Sequence, residues 1–339
     1  MSDGTKIEWT DATVNAVNGC SVLSPGCTNC YAMRSGGRNL PHHPATGLTQ
    51  PSKAGHVWTG EVRLNETQML QPLKWRKPRR IFWNAHGDLF HENVPDEWID
   101  RVFAVCALTP HHTHQILTKR SDRMRRYITD RARMDWLNAE IEQIGLVANL
   151  PTNCVCRCDR DDGDIKWPLA NVWLGVSVED QQRANERIPD LLATPAAVRW
   201  ISAEPLLGPI DLGVLQSGLP VNAWLTWLDG LDWVVVGGES GPGARPMLPD
   251  WARALRDQCA AVGVPFFFKQ WGSCLPGNMD GEDENGRPAY EIEEEHCEVD
   301  YDDLGRGKLI QAHGREFICF GHKHTGRRLD GVRHDGYPA

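Results

Sequence analysis

Residues 171–206 read NVWLGVSVEDQQRANERIPDLLATPAAVRWISAEPL. Two near-continuous apolar runs, VWLGVSV and VRWIS, flank a polar stretch with helix-like spacing. A strand buried on both faces reads as such a run, and a helix between two of them makes the strands parallel. The same alternation recurs on either side. RIFWNAHGD (80–88) precedes VPDEWIDRVFAVCAL, with Pro95 near a helix start. HTHQILTKR (112–120) precedes a charged helical stretch, LDWVVVGGESG (231–241) precedes LPDWARALRDQCAAVG, and VPFFFKQWG (264–272) follows. DATVNAV (11–17) is a candidate first strand. The pattern implies an α/β fold, a parallel sheet covered by helices, either barrel-like or doubly wound.

The strand runs end in polar groups: Asp88, Lys119, Ser177, Glu179, Glu204, Glu239, Lys269 and Gln270. In α/β barrels the carboxyl ends of the strands line the active site. The competing reading of each is a charge where a strand meets water, or a salt bridge on the rim. Three segments interrupt the alternation: 31–79, rich in Gly, Pro and His; 150–170, containing CVCRCDRDDGD; and 273–316. The expected division is a core over 1–272, with insertions at 31–79 and 150–170. Residues 273–339 then form an acidic insertion and C-terminal extension packed on the core.

Composition narrows the class. Of 339 residues, 41% are hydrophobic and 24% charged, as in soluble globular chains. The start, MSDGTKIEWTD, lacks the basic-then-apolar layout of a signal peptide, and no apolar run is long enough to cross a bilayer. A cytoplasmic protein with no membrane partner is expected. The cysteine count is eleven, an odd number, so metal or redox chemistry explains these thiols better than disulfides. Residues 280–303 carry twelve acids and one base, a net of −11, which leaves the rest of the chain near +2 out of a total of −9. The acidity is local and does not exclude a nucleic-acid partner.

The densest chemical signal is NGCSVLSPGCTNCYAMR (18–34), which spaces Cys20, Cys27 and Cys30 as C-x6-C-x2-C. Close spacing of soft thiolates lets one loop wrap an iron–sulfur cubane, and three cysteines leave one iron open. The alternative is zinc, with His42 or His43 as a fourth ligand. The β–α alternation after the loop favours the cluster.

Together with SPGCTNCYA, the motifs TKIEWTDATVNAVNGC, GDLFHENVPDEWIDRVFAV, HQILTKRSDRM, NVWLGVSVE, SAEPLLGPI, VVVGGESGPGARPM, FFFKQWG and GRRLDGVRHDGYP resemble a phage-associated family. That family belongs to the radical S-adenosylmethionine (SAM) superfamily, and the resemblance runs from about residue 5 to 338. It implies a partial (β/α)6 TIM-like barrel with insertions. It also implies a [4Fe-4S] cluster on Cys20, Cys27 and Cys30, SAM chelating the open iron, an electron-donor protein, and a 5′-deoxyadenosyl radical that takes hydrogen from an unactivated C–H bond. The cofactor-binding set it suggests is Tyr31, Asp88 for the methionine ammonium, Lys119 or Arg120 for the carboxylate, and Ser177 and Glu179 for the ribose. Glu204, Glu239 and Lys269 are the candidates for substrate chemistry. The superfamily's usual loop is C-x3-C-x2-C with an aromatic before the last cysteine; here the first gap is longer and Asn29 holds that place. Phage relatives are associated with hypermodified thymines in DNA, so the implied reaction is rearrangement of a modified thymine base or nucleotide in an infected bacterial host. The alternatives are a radical lyase repairing DNA and a zinc-stabilised nucleic-acid-binding protein without catalysis.

Cys154, Cys156 and Cys158 alternate, and in an extended segment face one side. With Cys274, Cys297 or His296 they are candidates for a second site, holding zinc or an auxiliary cluster. Cys106, Cys259 and Cys319 lie in apolar patterns and read as core. Two basic stretches, KWRKPRR (74–80) and KRSDRMRRYITDRARM (119–134), are candidates for phosphate contact or are solvated faces.

Overall fold

The computed structural model describes residues 4–41, 43–53, 55–150, 155–156, 165–213, 226–282, 288–292, 307–320 and 326–338. The chain forms two compact units. The first comprises Met1–Leu23, Ala32–Val176 and Arg187–Arg199; the second comprises Ser24–Tyr31, Ser177–Glu186 and Trp200–Ala339.

In the first unit, strands β1 (Ala12–Val14), β2 (Arg80–Trp83), β3 (Thr113–Thr118) and β4 (Val172–Ser177, through Val176 in this unit) pair in parallel in chain order. Ala12 lies opposite Ile81, Ile81 opposite His114, and His114 opposite Val172. Its helices are α1 (Tyr31–Gly37, from Ala32), α2 (Asp96–Leu108), α3 (Ser121–Thr129) and α4 (Arg133–Ala148). Helix α2 starts directly after Pro95, with Asp96 and Glu97 in its first turn, where carboxylates complement the helix dipole. It buries Ile99, Val102, Phe103, Val105 and Cys106 and packs on α4. The strands bury Ile81, Phe82, Trp83, Ile116, Leu174 and Val176. Strand β2 stops where Asn84 takes a left-handed backbone (φ 61°), which an Asn tolerates better than most residues. Asp88 therefore sits in the turn beyond the strand. The 31–79 stretch, expected as an insertion, holds α1 and a hairpin pairing Thr49–Ser52 with Gly55–Trp58, where Gly55 has φ 114°.

The second unit begins the helix α5 (Gln181–Leu192, through Glu186 in this unit) and contains β5 (Val198–Ala203, from Trp200), β6 (Trp233–Gly237), α6 (Pro249–Val262) and β7 (Phe266–Gln270). Its three strands are again parallel in chain order, with Trp200 opposite Trp233 and Val234 opposite Phe266. All five residues of β6 are buried, as a doubly covered strand requires. The α/β fold expected from the alternation is thus present, with parallel strands at the runs that predicted them. An antiparallel sheet follows: β8 (Cys274–Glu282), β9 (Pro288–Ile292), β10 (Lys308–Ala312) and β11 (Arg315–Cys319), in the order β9-β8-β11-β10. The C-terminal segment returns to β6 and α6. Tyr337 stacks on Trp233, and Asp330 accepts from Arg253 and Arg256.

Two cysteine expectations are corrected here. Cys319 is not a lone core thiol and Cys274 is not a partner for the 154–158 group, because the two form a disulfide. They lie directly opposite each other on β8 and β11, so the antiparallel register brings the sulfurs together. Cys106 and Cys259 are buried thiols, as expected. Cys154, Cys158, His296 and Cys297 lie outside the described residues, and Cys156 ends a two-residue strand paired with Ile165–Lys166. No helix among the described residues is long and apolar enough to cross a membrane.

Candidate functional site

In the first unit the polar groups past β1, β2 and β3 gather around Arg120. Its Nη1 donates to Asp88 Oδ2 at 3.1 Å and to Cys20 Sγ at 3.6 Å, its Nε to Glu92 Oε2 at 2.9 Å, and its Nη2 to Ser21 Oγ at 2.8 Å. Burial opposes a charge on Arg120, but Asp88, Cys20 and Glu92 outweigh it and hold the guanidinium protonated. Asp88 is fully engaged. Its Oδ1 accepts from the Phe90 N–H (3.0 Å) and Thr118 Oγ1 (2.7 Å), and its Oδ2 from the Lys119 N–H (3.1 Å) and Arg120. Four bonds fill the capacity of a carboxylate, so Asp88 anchors the turn and the cation together. Glu92 is desolvated in part, yet its own backbone N–H, Arg120 and Ser21 bring its carboxyl down to about 2. His91 Nε2 lies 2.9 Å from Ser21 Oγ. Gly19, just before Cys20, has φ 95°, and a Cβ there meets the Glu61 carbonyl oxygen at 2.1 Å, so only glycine fits.

In the second unit two buried carboxylates hold the loop that carries Cys27 and Cys30. Ser24 Oγ donates to Glu179 Oε1 at 2.6 Å. Gly26 lies so close to Glu179 that a Cβ there meets Oε1 at 2.5 Å. Glu239 Oε2 accepts from Asn29 Nδ2 (2.8 Å), the Arg245 N–H (2.9 Å) and Arg245 Nε (2.9 Å), and Oε1 accepts from Arg245 Nη2 at 2.5 Å. Arg245 Nη2 also donates to the Pro25 carbonyl at 2.9 Å. Burial pushes the Glu239 carboxyl up, and the bonds from Arg245 and Asn29 more than reverse it. This bidentate pair fixes geometry as well as charge.

Glu204, one residue past β5, forms a separate cluster. Its Oε1 accepts from Lys269 Nζ at 2.6 Å and Gln270 Nε2 at 3.3 Å. Adjacent strand residues normally face opposite ways. The register of β7 against β6 shifts between Val236 and Gly237, skipping Lys269, and this irregularity lets both neighbours reach one oxygen. Tyr31 as a residue is 53% exposed. Desolvation and then the charges of Cys30 and Glu204 raise its titration. Ser177 is buried at the end of β4.

Ser21, Ser24, Asn29, Glu92 and Arg245 escaped the sequence reading. Each pairs with a residue distant in sequence or joined by a turn, so no periodicity marks it. The one available signal was position: Ser21, Ser24 and Asn29 inside the cysteine loop, Arg245 in the GESGPGAR turn, and Glu92 four residues past Asp88.

Among the described residues, no three His, Cys, Asp or Glu side chains form a group that could hold a metal ion. His42 lies outside the described residues, and His43 Nδ1 accepts from the Ala45 N–H at 3.2 Å. Cys20, Cys27 and Cys30 are not disulfide-bonded. Thiolate is the donor type that an iron–sulfur cluster takes, and the three thiols lie within eleven residues in sequence without forming a metal-holding group among the described residues.

The family described as "Protein of unknown function (DUF5131)" matches residues 4–338. Comparison with curated proteins finds no match. Among solved structures, spore photoproduct lyase complexed with dinucleoside spore photoproduct is 10% identical with a TM-score of 0.35, covering 94% of this chain and 71% of that one. A double mutant of that lyase with bound AdoMet and dinucleoside spore photoproduct is 10% identical with a TM-score of 0.36 and the same coverage.

Proposed function

We propose that this chain, which belongs to the DUF5131 family, is a radical SAM enzyme with a partial TIM-like barrel core over 1–272. The observation that carries this reading is the cysteine loop. Three cysteines spaced C-x6-C-x2-C keep their thiols, and two buried carboxylates and an arginine hold the loop around two of them. Cys20, Cys27 and Cys30 would hold a [4Fe-4S] cluster. When bound, it supplies one electron to SAM and so opens radical chemistry on unactivated C–H bonds.

The chain's own residues then divide the remaining work. Arg120 places a fixed positive charge beside Cys20, and it or Lys119 pairs with the methionine carboxylate. Asp88 holds Arg120 in place. Ser177 contacts the ribose. Glu179, in this reading, is diverted from the ribose to the loop, and Glu239 from substrate to the loop. Lys269 and Glu204, with Tyr31 close enough to Glu204 to feel its charge, are the groups for orienting substrate and holding or moving a proton. The substrate proposed is a modified thymine in DNA or a nucleotide, and the reaction its rearrangement.

The test is anaerobic reconstitution of the full chain with iron, sulfide and SAM. About four irons per chain, visible absorbance and reductant-dependent 5′-deoxyadenosine formation are expected. A colourless protein holding only zinc would overturn the reading. Mass analysis of nucleosides after incubation with modified DNA then separates rearrangement from a repair lyase.

A further inference from the structure

The two basic stretches, alike in sequence, have different fates in the fold. Over 119–134 most arginines are engaged internally. Arg120 serves Asp88 and Glu92, Arg123 pairs with Asp96, Arg125 with Asp190, Arg126 with Asp122, and Arg133 with Asp100. Over 74–80 Arg80 pairs with Asp11, but Lys74, Arg76 and Lys77 are exposed, and no ion pair engages them among the described residues. They are not on a floppy tail. The preceding turn Gln71–Lys74 is a short 3-10 helix with Pro72 buried in it. Arg79 lies 4.7 Å over the Trp75 ring, and the Trp75 carbonyl lies 2.9 Å from His111 Nε2. The result is a set of cations displayed from a braced turn just before β2, in a protein whose overall charge is −9.

We propose that Lys74, Arg76 and Lys77 form an anchoring surface for the phosphate backbone of a nucleic acid, separate from the cysteine loop. They precede the amino end of β2, whereas Asp88 and Arg120 follow the carboxyl ends of β2 and β3. A polyanion needs cations and little else, because release of condensed counterions supplies the free energy. A protein partner would need an apolar centre, and 71–80 contains none of the exposed large hydrophobic side chains. Arg76 adds a planar guanidinium suited to phosphate oxygens. The proposal makes no use of the cluster, so binding tests it independently of the function proposed above.

The experiment is fluorescence anisotropy of the full chain with labelled duplex DNA and single-stranded DNA over a range of salt, beside labelled polyglutamate. Comparison is with the triple variant K74A/R76A/K77A and the control R126A. The triple variant is expected to bind DNA more than tenfold more weakly at low salt. The slope of log affinity against log salt should flatten by about 0.9 on duplex or 0.7 on single strand for each phosphate that the variant no longer neutralises. R126A should behave as wild type. An unchanged slope in the triple variant overturns the proposal. So does polyglutamate binding as tightly as DNA with the same weakening, which would mark an acidic protein as the partner. A circular-dichroism melt matching wild type guards against misfolding of these exposed substitutions.

Discussion

Two cysteine regions of the chain have opposite fates. Cys274 and Cys319 face each other across antiparallel neighbours and are joined, 45 residues apart in sequence. Cys20, Cys27 and Cys30 lie within eleven residues and are not joined, and they are surrounded by charge instead: a guanidinium at Cys20, and Glu179, Glu239 and Arg245 at the loop of Cys27 and Cys30. Residue type does not separate the two regions; backbone setting does. A paired register presses two sulfurs together, whereas the loop of Cys27 and Cys30 is tied by its own polar side chains and backbone to buried carboxylates and an arginine, and its thiols are not disulfide-bonded.

The sharpest break of that comparison is replacement of Cys20, Cys27 and Cys30 by alanine. Bound iron and 5′-deoxyadenosine formation should both disappear, while Cys274→Ser leaves iron content unchanged. Iron retained in the triple variant would move the cluster elsewhere, toward Cys154, Cys156 and Cys158. Next in size is Arg120→Ala. It strands the buried Asp88 carboxylate, and breaking a buried pair from one side costs about 3–5 kcal/mol, read as a fall in the urea midpoint. Arg120→Lys should recover only part, since one ammonium cannot serve Asp88, Glu92 and Ser21 together. Loss of the disulfide in Cys274→Ser should cost about 2–4 kcal/mol, measured in the same way and abolished by reductant in wild type.

The smallest effect concerns Asp100, on α2 of the first unit. Burial raises its carboxyl to about 6, against help from Tyr127 and Arg133. A carboxyl raised in the folded state contributes stability that is complete below its unfolded value of 3.8 and is lost as pH rises through about 6. Asp100→Asn should therefore flatten the stability profile between about pH 4 and 6, by up to about 2–3 kcal/mol. A profile unchanged by the substitution would place the titration in another group.

Much of the architecture was legible in one dimension. The apolar runs at 80–83, 113–118, 172–177, 198–203, 233–237 and 266–270 became parallel strands because a strand covered on both faces has no other composition. Helices α2, α5 and α6 lie where VPDEWIDRVFAVCAL, the polar stretch between VWLGVSV and VRWIS, and LPDWARALRDQCAAVG read as helical. The polar ends of those strands pointed to Asp88, Glu204, Glu239 and Lys269, and the cysteine spacing pointed to its loop.

What each of those side chains does was decided by partners across the fold. Glu239 reaches Asn29 over 210 residues, Glu179 reaches Ser24 over 155, and Arg120 reaches Cys20 over 100. Local sequence determines which way a side chain faces and whether it is apolar, because those depend on neighbours within a turn or a pleat. It carries no information on which charge will meet which, because an ion pair forms wherever packing of the elements leaves two opposite charges with no water between them. For this protein the parallel strands, the helices between them and the thiols were therefore written in the sequence. The disulfide, the clamp on the cysteine loop and the contrast between the two basic stretches belong to the tertiary structure alone.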